Sequence, residues 1–250
     1  SGLVEGLAAA EAAAEIGEAF ARPTPPPLMI AQDEPKHIEA LDEWEAKAAL
    51  EAHGLRRPRG WLVASEAEAL AAFRELGAPV VVKACSRAIP HKTEAGAVRL
   101  SLRTEDAVRE AARHMLGLAE QAIVEEMVTD AVAELIVGVA RDPQFGPTLV
   151  VGSGGILVEL VADSRTLLLP VTAAEVREAV LSLKAAKLIA GFRGKPAGDI
   201  DGAVAAVMAV ARYTESNASR IAELDVNPLL VRPSGKGAVA ADALVRVAKS

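Results

Sequence analysis

Residues 223–228 of this 250-residue chain read Glu-Leu-Asp-Val-Asn-Pro, an alternation of polar and apolar side chains that ends at a proline. In an extended strand successive side chains point to opposite faces, so Glu223, Asp225 and Asn227 are expected to share one face. Their side-chain oxygens are the hard donors that Mg²⁺ prefers. Asp242, at the end of the next apolar stretch, could complete a metal site. The alternative is that these residues form the polar face of an edge strand.

The segments around this stretch alternate between strand-like and helix-like patterns. Apolar and β-branched runs predict strands at 60–63, 79–83, 96–102, 122–127, 133–140, 148–151, 166–169, 221–227, 229–232 and 238–241. Helical spacing and capping residues predict helices over 41–54, 65–77, 104–117, from near 172, and over 199–213. Because strands and helices are interspersed without a strict repeat, we expect an α/β or α+β fold with two lobes.

The helix predicted over 41–54 has a stripe of apolar residues. Residues three and four apart share a face of a helix, which places Leu41, Trp44 and Ala48 together and leaves the place of Leu50 open. Gly54 is a typical helix end. We therefore expect this stripe to face the core.

One compact domain is expected after an N-terminal helix and linker. Residues 3–20 are rich in alanine and predict an exposed helix, and the proline-rich run at 22–27 predicts an extended, semi-rigid linker. We interpret 1–36 as a tether or the tail of a preceding domain, and 37–250 as the compact domain.

The composition excludes several classes of protein. Hydrophobic residues make up 51% of the chain, which is enough to bury a core, and no uncharged apolar run reaches the length of a membrane span. A net charge of −7 with 3% aromatic residues argues against nucleic-acid binding. The single cysteine, Cys85, excludes an intrachain disulfide, so we expect a reducing, cytoplasmic setting.

Two basic residues lie close together in the first half of the chain. Lys83 ends an apolar strand, where a charge either points to solvent or faces a ligand cleft. Eight residues later, His91 lies in a loop between Pro90 and Gly96. A histidine there could act as a base, a metal ligand or a phosphate acceptor, or could be an ordinary loop residue.

Three further polar segments each have two interpretations. Glu125 and Glu126 end a buried strand and are either solvated or part of a site. The segment 141–147 has the composition of a turn. The glycines of 152–155 either form a tight hairpin or offer backbone N–H groups to a phosphate.

Taken together and in this order, these segments resemble the ATP-grasp domain of the ADP-forming acyl-CoA (acetate–CoA) synthetases, a family related to succinyl-CoA synthetase. The resemblance runs from about residue 41 to 247. Each motif is short, but the ordered set is specific. The motifs lie at 79–83, 89–99, 124–128, 134–138, 141–147, 152–155 and 223–229.

The resemblance implies a two-lobed fold with a nucleotide cleft between lobe one (about 41–124) and lobe two (about 129–250), joined by a hinge at 125–128. It implies ATP or ADP and Mg²⁺ as cofactors. Adenine would lie between aliphatic side chains such as Val81, because aromatic residues are scarce. The implied nucleotide-binding residues are Lys83 at the α- and β-phosphates, the hinge residues Glu125, Glu126, Met127 and Val128 at adenine, Glu134 at the ribose, and Gly154 and Gly155. The implied metal ligands are Asn227 and Asp242, with Asp225 directly or through water, and Arg141 is a candidate phosphate contact.

His91 matches the histidine that accepts the phosphoryl group in this family, so the implied catalytic residues are His91, Lys83 and Arg141. The implied overall reaction is acyl-CoA + ADP + phosphate ⇌ acid + CoA + ATP. Family members usually have Gly-Gly after the His-Lys motif, whereas this chain has Gly96-Ala97. A methyl group at Ala97 could narrow the movement of the loop or be tolerated.

The chain has no glycine-rich CoA-binding domain and no second ligase domain, so the resemblance implies that a partner supplies them. This chain would then be the β subunit of a two-subunit enzyme or an excised C-terminal domain of a fused one. The start at Ser1-Gly2 and the N-terminal helix and linker favour the excised domain. A second hypothesis is a regulatory module that binds ATP without turnover, as in fused synthetase-like proteins.

Overall fold

Two antiparallel β-sheets form the framework of the protein. The computed structural model describes residues 2–21, 35–89, 96–155, 163–192, 194 and 196–249. The strands are β1 (Ile38–Ala40), β2 (Gly60–Val63), β3 (Val80–Cys85), β4 (Val98–Leu102), β5 (Gln121–Glu126), β6 (Ala133–Asp142), β7 (Gly146–Ser153), β8 (Ser164–Leu168), β9 (Ile221–Val231), β10 (Ala238–Ala240) and β11 (Ala243–Ala248). The helices are α1 (Leu3–Ala21), α2 (Glu43–Glu51), α3 (Glu66–Leu76), α4 (Glu105–Leu118), α5 (Ala173–Ser182), α6 (Ala186–Ile189) and α7 (Ile200–Ser216).

The smaller sheet has the order β2-β5-β3-β4 and is covered by α3 and α4. Strand β3 is buried along its whole length, as its β-branched run predicts. Its side chains Val80 and Val82 pack with Met115 of α4 in one apolar core. Helix α3 begins where Ser65 accepts a hydrogen bond from the N–H of Glu68, as the capping pattern predicts.

The larger sheet has the order β1-β11-β9-β6-β7-β8, with β10 also paired to β9. Helices α5 and α7 pack in a second core, which is made of aliphatic residues and Tyr213. Two sheets, each with its own core and helices, confirm the predicted two-lobed mixed fold.

Strand β9 differs from the prediction of two strands separated at Pro228. It runs continuously from Ile221 to Val231, and at this point two of its residues, Asn227 and Pro228, oppose one residue of β6, Ile136. Such a bulge accommodates a proline, because an irregular ladder does not need every N–H. Leu224 and Val226 are buried, so the predicted alternation of faces is confirmed.

Helix α2 differs from the prediction in the face that it buries. Its buried residues are Glu43, Ala46, Lys47 and Leu50. The predicted stripe was therefore wrong at Ala48, which is exposed, whereas Leu50 does belong to the buried face. The apolar residues of α2 pack in the larger core. The segment that follows Leu41, predicted to belong to lobe one, therefore packs with the larger unit, and the smaller sheet begins at β2.

Helix α1 lies outside both cores, and all of its described side chains are exposed. This agrees with the exposed helix predicted for residues 3–20. None of the helices in the described part of the chain has both the length and the apolar character needed to cross a bilayer.

Gly60 provides a test of how closely β2 and β5 approach each other. A Cβ atom at Gly60 would lie 2.8 Å from Glu125 Cβ and 2.8 Å from the carbonyl oxygen of Val124. We expect Gly60→Ala to lower the free energy of unfolding by about 1–3 kcal/mol, because backbone must move to admit the methyl group. Chemical denaturation followed by circular dichroism measures this.

Gly117→Ala is the matched control, since no atom lies within 4 Å of a Cβ at this position in α4. It should raise the free energy of unfolding by roughly 0.5–1 kcal/mol through helix propensity. Equal stability of Gly60→Ala and the parent would contradict the close approach.

Candidate functional site

A cleft of about 300 Å³ lies between the two sheets. The smaller sheet supplies one wall, together with the segment after β5. The other wall comes from β6, β9 and the two residues between β10 and β11. Val81, the predicted adenine neighbour, is among the lining residues. The cleft brings together eight residues that the sequence predicts for the site: Lys83, Glu125, Glu126, Met127, Val128, Glu134, Asn227 and Asp242.

The pair Asn227 and Asp242 meets at a break in the larger sheet. Strands β10 and β11 both pair with β9 and are separated by Ala241 and Asp242. The register pairs Ala240 with Leu229 and Ala243 with Val226, which places Asp242 opposite Asn227. Cα atoms of opposed residues lie roughly 4.5–5.5 Å apart in an antiparallel pair. Two side chains with hard oxygen donors are thereby held side by side in the cleft.

Glu134 is positioned by Gly154. The N–H of Gly154 donates to the carbonyl oxygen of Glu134 at 2.8 Å, and a Cβ on Gly154 would lie 2.9 Å from Glu134 Cβ. Gly155 follows with a φ of +95°, a conformation that favours glycine. Neither glycine is among the residues that line the cleft, so their predicted contact with the nucleotide gains no support. Gly154 instead supports the backbone at Glu134, which does line the cleft.

Lys83 lies in a buried network of alternating charges. Its Nζ is 2.5 Å from Glu125 Oε1 and 2.8 Å from Glu43 Oε1. The Nζ of Lys47 is 2.7 Å from the same Glu43 oxygen and 2.9 Å from Glu125 Oε2. All four residues are buried. We call these four residues, Glu43, Lys47, Lys83 and Glu125, the charge quartet.

The charge quartet connects the two lobes. Lys83 and Glu125 lie on the smaller sheet, and Glu43 and Lys47 lie on α2, which packs in the larger core. The ammonium group of Lys83 also donates to the carbonyl oxygen of Ala241 at 2.7 Å, at the break between β10 and β11. Of the two interpretations of Lys83, the structure supports the cleft and excludes the solvent-exposed one.

The electrostatics keep Lys83 protonated. Burial by itself lowers the pKa of a lysine, but the carboxylates of Glu125, Glu43 and Asp242 outweigh it and raise the pKa of Lys83 well above its usual value. Lys83 therefore stays protonated in the folded chain, and the surrounding carboxylates balance its charge.

Residues of the hinge segment, 125–128, already bond to other residues of the smaller lobe. The N–H of Glu126 donates to the carbonyl oxygen of Arg59, and that of Met127 donates to the carbonyl oxygen of Pro79. The Glu126 carboxylate pairs with the Arg59 side chain at 2.9 Å. These contacts fix the segment at the back of the cleft, and the predicted contact of its backbone with adenine stays a prediction.

The structure does not bring Arg141 or Asp225 into the lining of this cleft. Arg141 donates to the carbonyl oxygens of Ala218 and Ile221 at 3.0 and 2.9 Å. It lies seven residues beyond Glu134 on β6, about 23 Å at the rise of an extended strand. Asp225 faces a shallow groove that also contains Arg141. The geometry gives no support to a direct phosphate contact of Arg141, because its guanidinium binds the turn before β9.

His91 lies outside the described residues. The departure at Ala97 can be described: this residue is fully buried in the smaller core, and its carbonyl oxygen accepts from the N–H of Ala84 at 2.9 Å. The methyl group is accommodated by packing in the lobe, which supports the interpretation that it is tolerated.

Sequence reasoning missed Glu43, Lys47 and the carbonyl of Ala241. One signal was available, since Glu43 and Lys47 are four residues apart and residues at this spacing can form an ion pair on a helix. Charged residues are normally assigned to the solvent face, and only the tertiary contact with Lys83 and Glu125 reverses that assignment.

The donor set in the cleft fits Mg²⁺. In the described part of the chain, His, Cys, Asp and Glu residues do not gather in groups of three that could hold a metal. Asn227 and Asp242 offer one amide and one carboxylate oxygen, and Mg²⁺ is commonly held by one or two protein carboxylates with water and substrate phosphates. A metal that is shared with a bound phosphate therefore suits this site.

Two lobes, each built on an antiparallel sheet, enclose a cleft with a buried lysine and adjacent oxygen donors. This is the architecture of a nucleotide-binding ATP-grasp domain. The family model of the ATP-grasp domain matches residues 33–247. The chain belongs to this family.

The relatives include ADP-forming acid–CoA ligases. The chain is 34% identical over 215 residues to the acetate–CoA ligase [ADP-forming] II subunit beta of Pyrococcus furiosus, covering 82% of this chain and 91% of that subunit. It is 36% identical over 206 residues to the 4-hydroxybutyrate–CoA ligase [ADP-forming] of Nitrosopumilus maritimus, covering 79% of this chain and 29% of that protein. The chain therefore spans about three tenths of the longer curated relatives.

Solved structures show the same fold. The dinucleotide forming acetyl-coenzyme A synthetase 1 of Ca. Korarchaeum cryptofilum matches with a TM-score of 0.72 and 34% identity, covering 84% of this chain and 93% of that chain. That structure is a complex with coenzyme A and Mg-AMPPCP, in which a phosphohistidine segment points towards the nucleotide binding site.

The raised pKa of Lys83 predicts how stability depends on pH. A lysine that keeps its proton in the folded state and loses it in the unfolded state near pH 10.4 stabilises fully below that pH, and this contribution is lost as the pH rises further. We expect the free energy of unfolding of the parent to fall above about pH 10.4, and Lys83→Met to reduce that slope by up to about 1.4 kcal/mol per pH unit.

Urea denaturation between pH 9 and 11.5 measures these slopes. Lys187→Met, at an exposed position of α6, is the matched control and should leave the slope unchanged. Identical slopes for Lys83→Met and the parent would contradict a folded-state lysine that stays protonated.

Proposed function

We propose that this chain is the nucleotide-binding, phosphoryl-transfer module of an ADP-forming acyl-CoA synthetase. The observation that carries the proposal is the cleft that gathers Lys83, Glu134, Asn227 and Asp242. The 34% identity to an acetate–CoA ligase β subunit over most of both chains supports it. In this proposal the chain exchanges phosphate between ATP or ADP and His91.

The lining of the cleft supplies a place for each part of a nucleotide. Val81, Val98 and Leu230 offer aliphatic surfaces to adenine, and the segment at Val128 would read its edge. The carboxylate of Glu134 would accept hydrogen bonds from the ribose hydroxyls. The ammonium of Lys83 would bind the α- and β-phosphates, and the hydrogen bond from Gly154 holds the backbone of Glu134 in place.

Asn227 and Asp242 would hold Mg²⁺, whereas Asp225, which faces a separate groove, is left out of this site. The metal would neutralise charge on the phosphates, and such charge neutralisation and positioning provide most of the catalysis in phosphoryl transfer. A few placed cations must suffice here, because the chain has a net charge of −7. We therefore expect nucleotide binding to depend on the metal.

His91 would serve as the phosphoryl acceptor. A nitrogen of its neutral imidazole forms a bond to the γ-phosphorus of ATP while the bond to the β-phosphate oxygen breaks. ADP leaves, and the phosphoimidazole formed passes its phosphoryl group to the partner. The reverse reaction transfers the phosphoryl group from phosphorylated His91 to ADP and makes ATP. In the relative of known structure a phosphohistidine segment points towards the nucleotide site, which supports this role.

The partner in this proposal contains CoA-binding and CoA-ligase domains, either fused to this chain or on a separate α subunit. Those domains would bind the acyl substrate and CoA in acyl-CoA + ADP + phosphate ⇌ acid + CoA + ATP. The name "subunit beta" of the Pyrococcus relative supports a partner subunit. The single cysteine supports a reducing compartment, and we propose the cytoplasm.

Labelling with γ-³²P-ATP and Mg²⁺ tests the proposal. We expect the chain to acquire an acid-labile, base-stable label, because phosphohistidine is a phosphoramidate, and we expect His91→Ala to acquire none. His114→Ala changes an exposed histidine of α4 and should be labelled like the parent. Chelation of the metal should abolish the label.

Two results would contradict the proposal. A label that persists in His91→Ala would exclude His91 as the acceptor. Calorimetric binding of ATP without any labelling, even when the ligase domains are supplied, would favour the regulatory module instead.

A further inference from the structure

The ammonium group of Lys83 has no donor left for a nucleotide. An ammonium carries three N–H donors. In this structure Nζ contacts three acceptors, Glu125 Oε1 at 2.5 Å, Glu43 Oε1 at 2.8 Å and the carbonyl oxygen of Ala241 at 2.7 Å. A phosphate oxygen can therefore bind Lys83 only after at least one of these acceptors is released.

Lys47 already contacts both carboxylates that Lys83 would release, those of Glu43 and Glu125. Its Nζ contacts both of them, Glu43 Oε1 at 2.7 Å and Glu125 Oε2 at 2.9 Å, and its side chain is 1% exposed. Lys47 is not among the residues that line the cleft. It can thus neutralise the two carboxylates but cannot take the place of Lys83 at a phosphate.

Charge balance makes this role necessary. The charge quartet is neutral, with two lysines and two glutamates. When Lys83 turns to a phosphate, the remaining three groups carry one net negative charge if Lys47 is present and two if it is absent. A buried carboxylate that loses its counter-charge is strongly unfavourable, so in the absence of Lys47 the carboxylates would retain Lys83.

We propose that Lys47 is a positioning residue for the phosphoryl-transfer site. Its ammonium holds Glu43 and Glu125 while Lys83 exchanges between these carboxylates and the nucleotide phosphates. Lys47 thereby sets how readily Lys83 is available for the nucleotide. This inference rests on the proposed function, because it takes Lys83 as the phosphate ligand.

The test is a charge-matched pair of variants titrated with Mg-ADP by isothermal calorimetry, using the full 250-residue chain. Lys47→Met leaves two carboxylates on Lys83, and we expect the affinity to fall about tenfold or more. Lys47→Met combined with Glu43→Gln leaves one carboxylate for one lysine. We expect this double variant to recover affinity to within about threefold of the parent.

The recovery distinguishes the proposal from a purely structural role. If Lys47 only supported the fold, loss of a second buried partner would weaken binding further. A double variant that binds no better than Lys47→Met would overturn the proposal, as would Lys47→Met with the affinity of the parent. Lys187→Met, at an exposed position, is the control for loss of a lysine and should bind like the parent.

Circular dichroism and thermal unfolding establish whether each variant is folded. If Lys47→Met is not, Glu43→Gln tests the same competition alone, since it removes one acceptor from Lys83 and leaves Lys47 on Glu125. We expect Glu43→Gln to bind Mg-ADP at least as tightly as the parent, and a tenfold loss would overturn the proposal.

The failure of the proposed function gives a different result. A parent chain that does not bind Mg-ADP would overturn both the proposed function and the role of Lys47. A parent that binds Mg-ADP through Lys83, as shown by loss of binding in Lys83→Met, with no response to the Lys47 and Glu43 variants, would overturn only the role of Lys47.

Discussion

The charge quartet is the constraint on which the arrangement of the two lobes depends. Two lysines and two glutamates alternate, so that every buried charge has opposite charges within 2.9 Å. A buried ion pair contributes little net stability by itself, but its geometry is demanding and a missing partner is costly. Such a cluster therefore specifies position more than it stabilises. It fixes helix α2 of the larger unit against strands β3 and β5 of the smaller one.

The cleft follows from that junction. With the smaller sheet held at Lys83, its wall faces the point where β10 and β11 separate and Asp242 opposes Asn227. The contact of Lys83 with the carbonyl of Ala241 joins the cation directly to this break. One lysine thus belongs both to the contact between the lobes and to the wall of the proposed nucleotide site, which links the packing of the fold to its chemistry.

The sequence correctly predicted features that depend only on neighbouring residues. The strands around Lys83 and Asp225 and the Ser65 cap agree with the sequence, because β-branched runs, alternation and capping are properties of neighbouring residues. The prediction for α2 was wrong at Ala48 and did not include Glu43 and Lys47, because these two residues are buried with partners far away in the chain. Arg141 was assigned by resemblance, and its contacts with Ala218 and Ile221 depend on a turn that periodicity does not reveal.

A crystal structure of the chain with Mg-ADP shows whether the nucleotide displaces an acceptor from Lys83. We expect Lys83 Nζ within about 3.2 Å of a phosphate oxygen, with at least one of its present acceptors released. We also expect Lys47 to remain in contact with Glu43 and Glu125. A bound nucleotide with Lys83 retaining all three of its present acceptors would rule out this exchange.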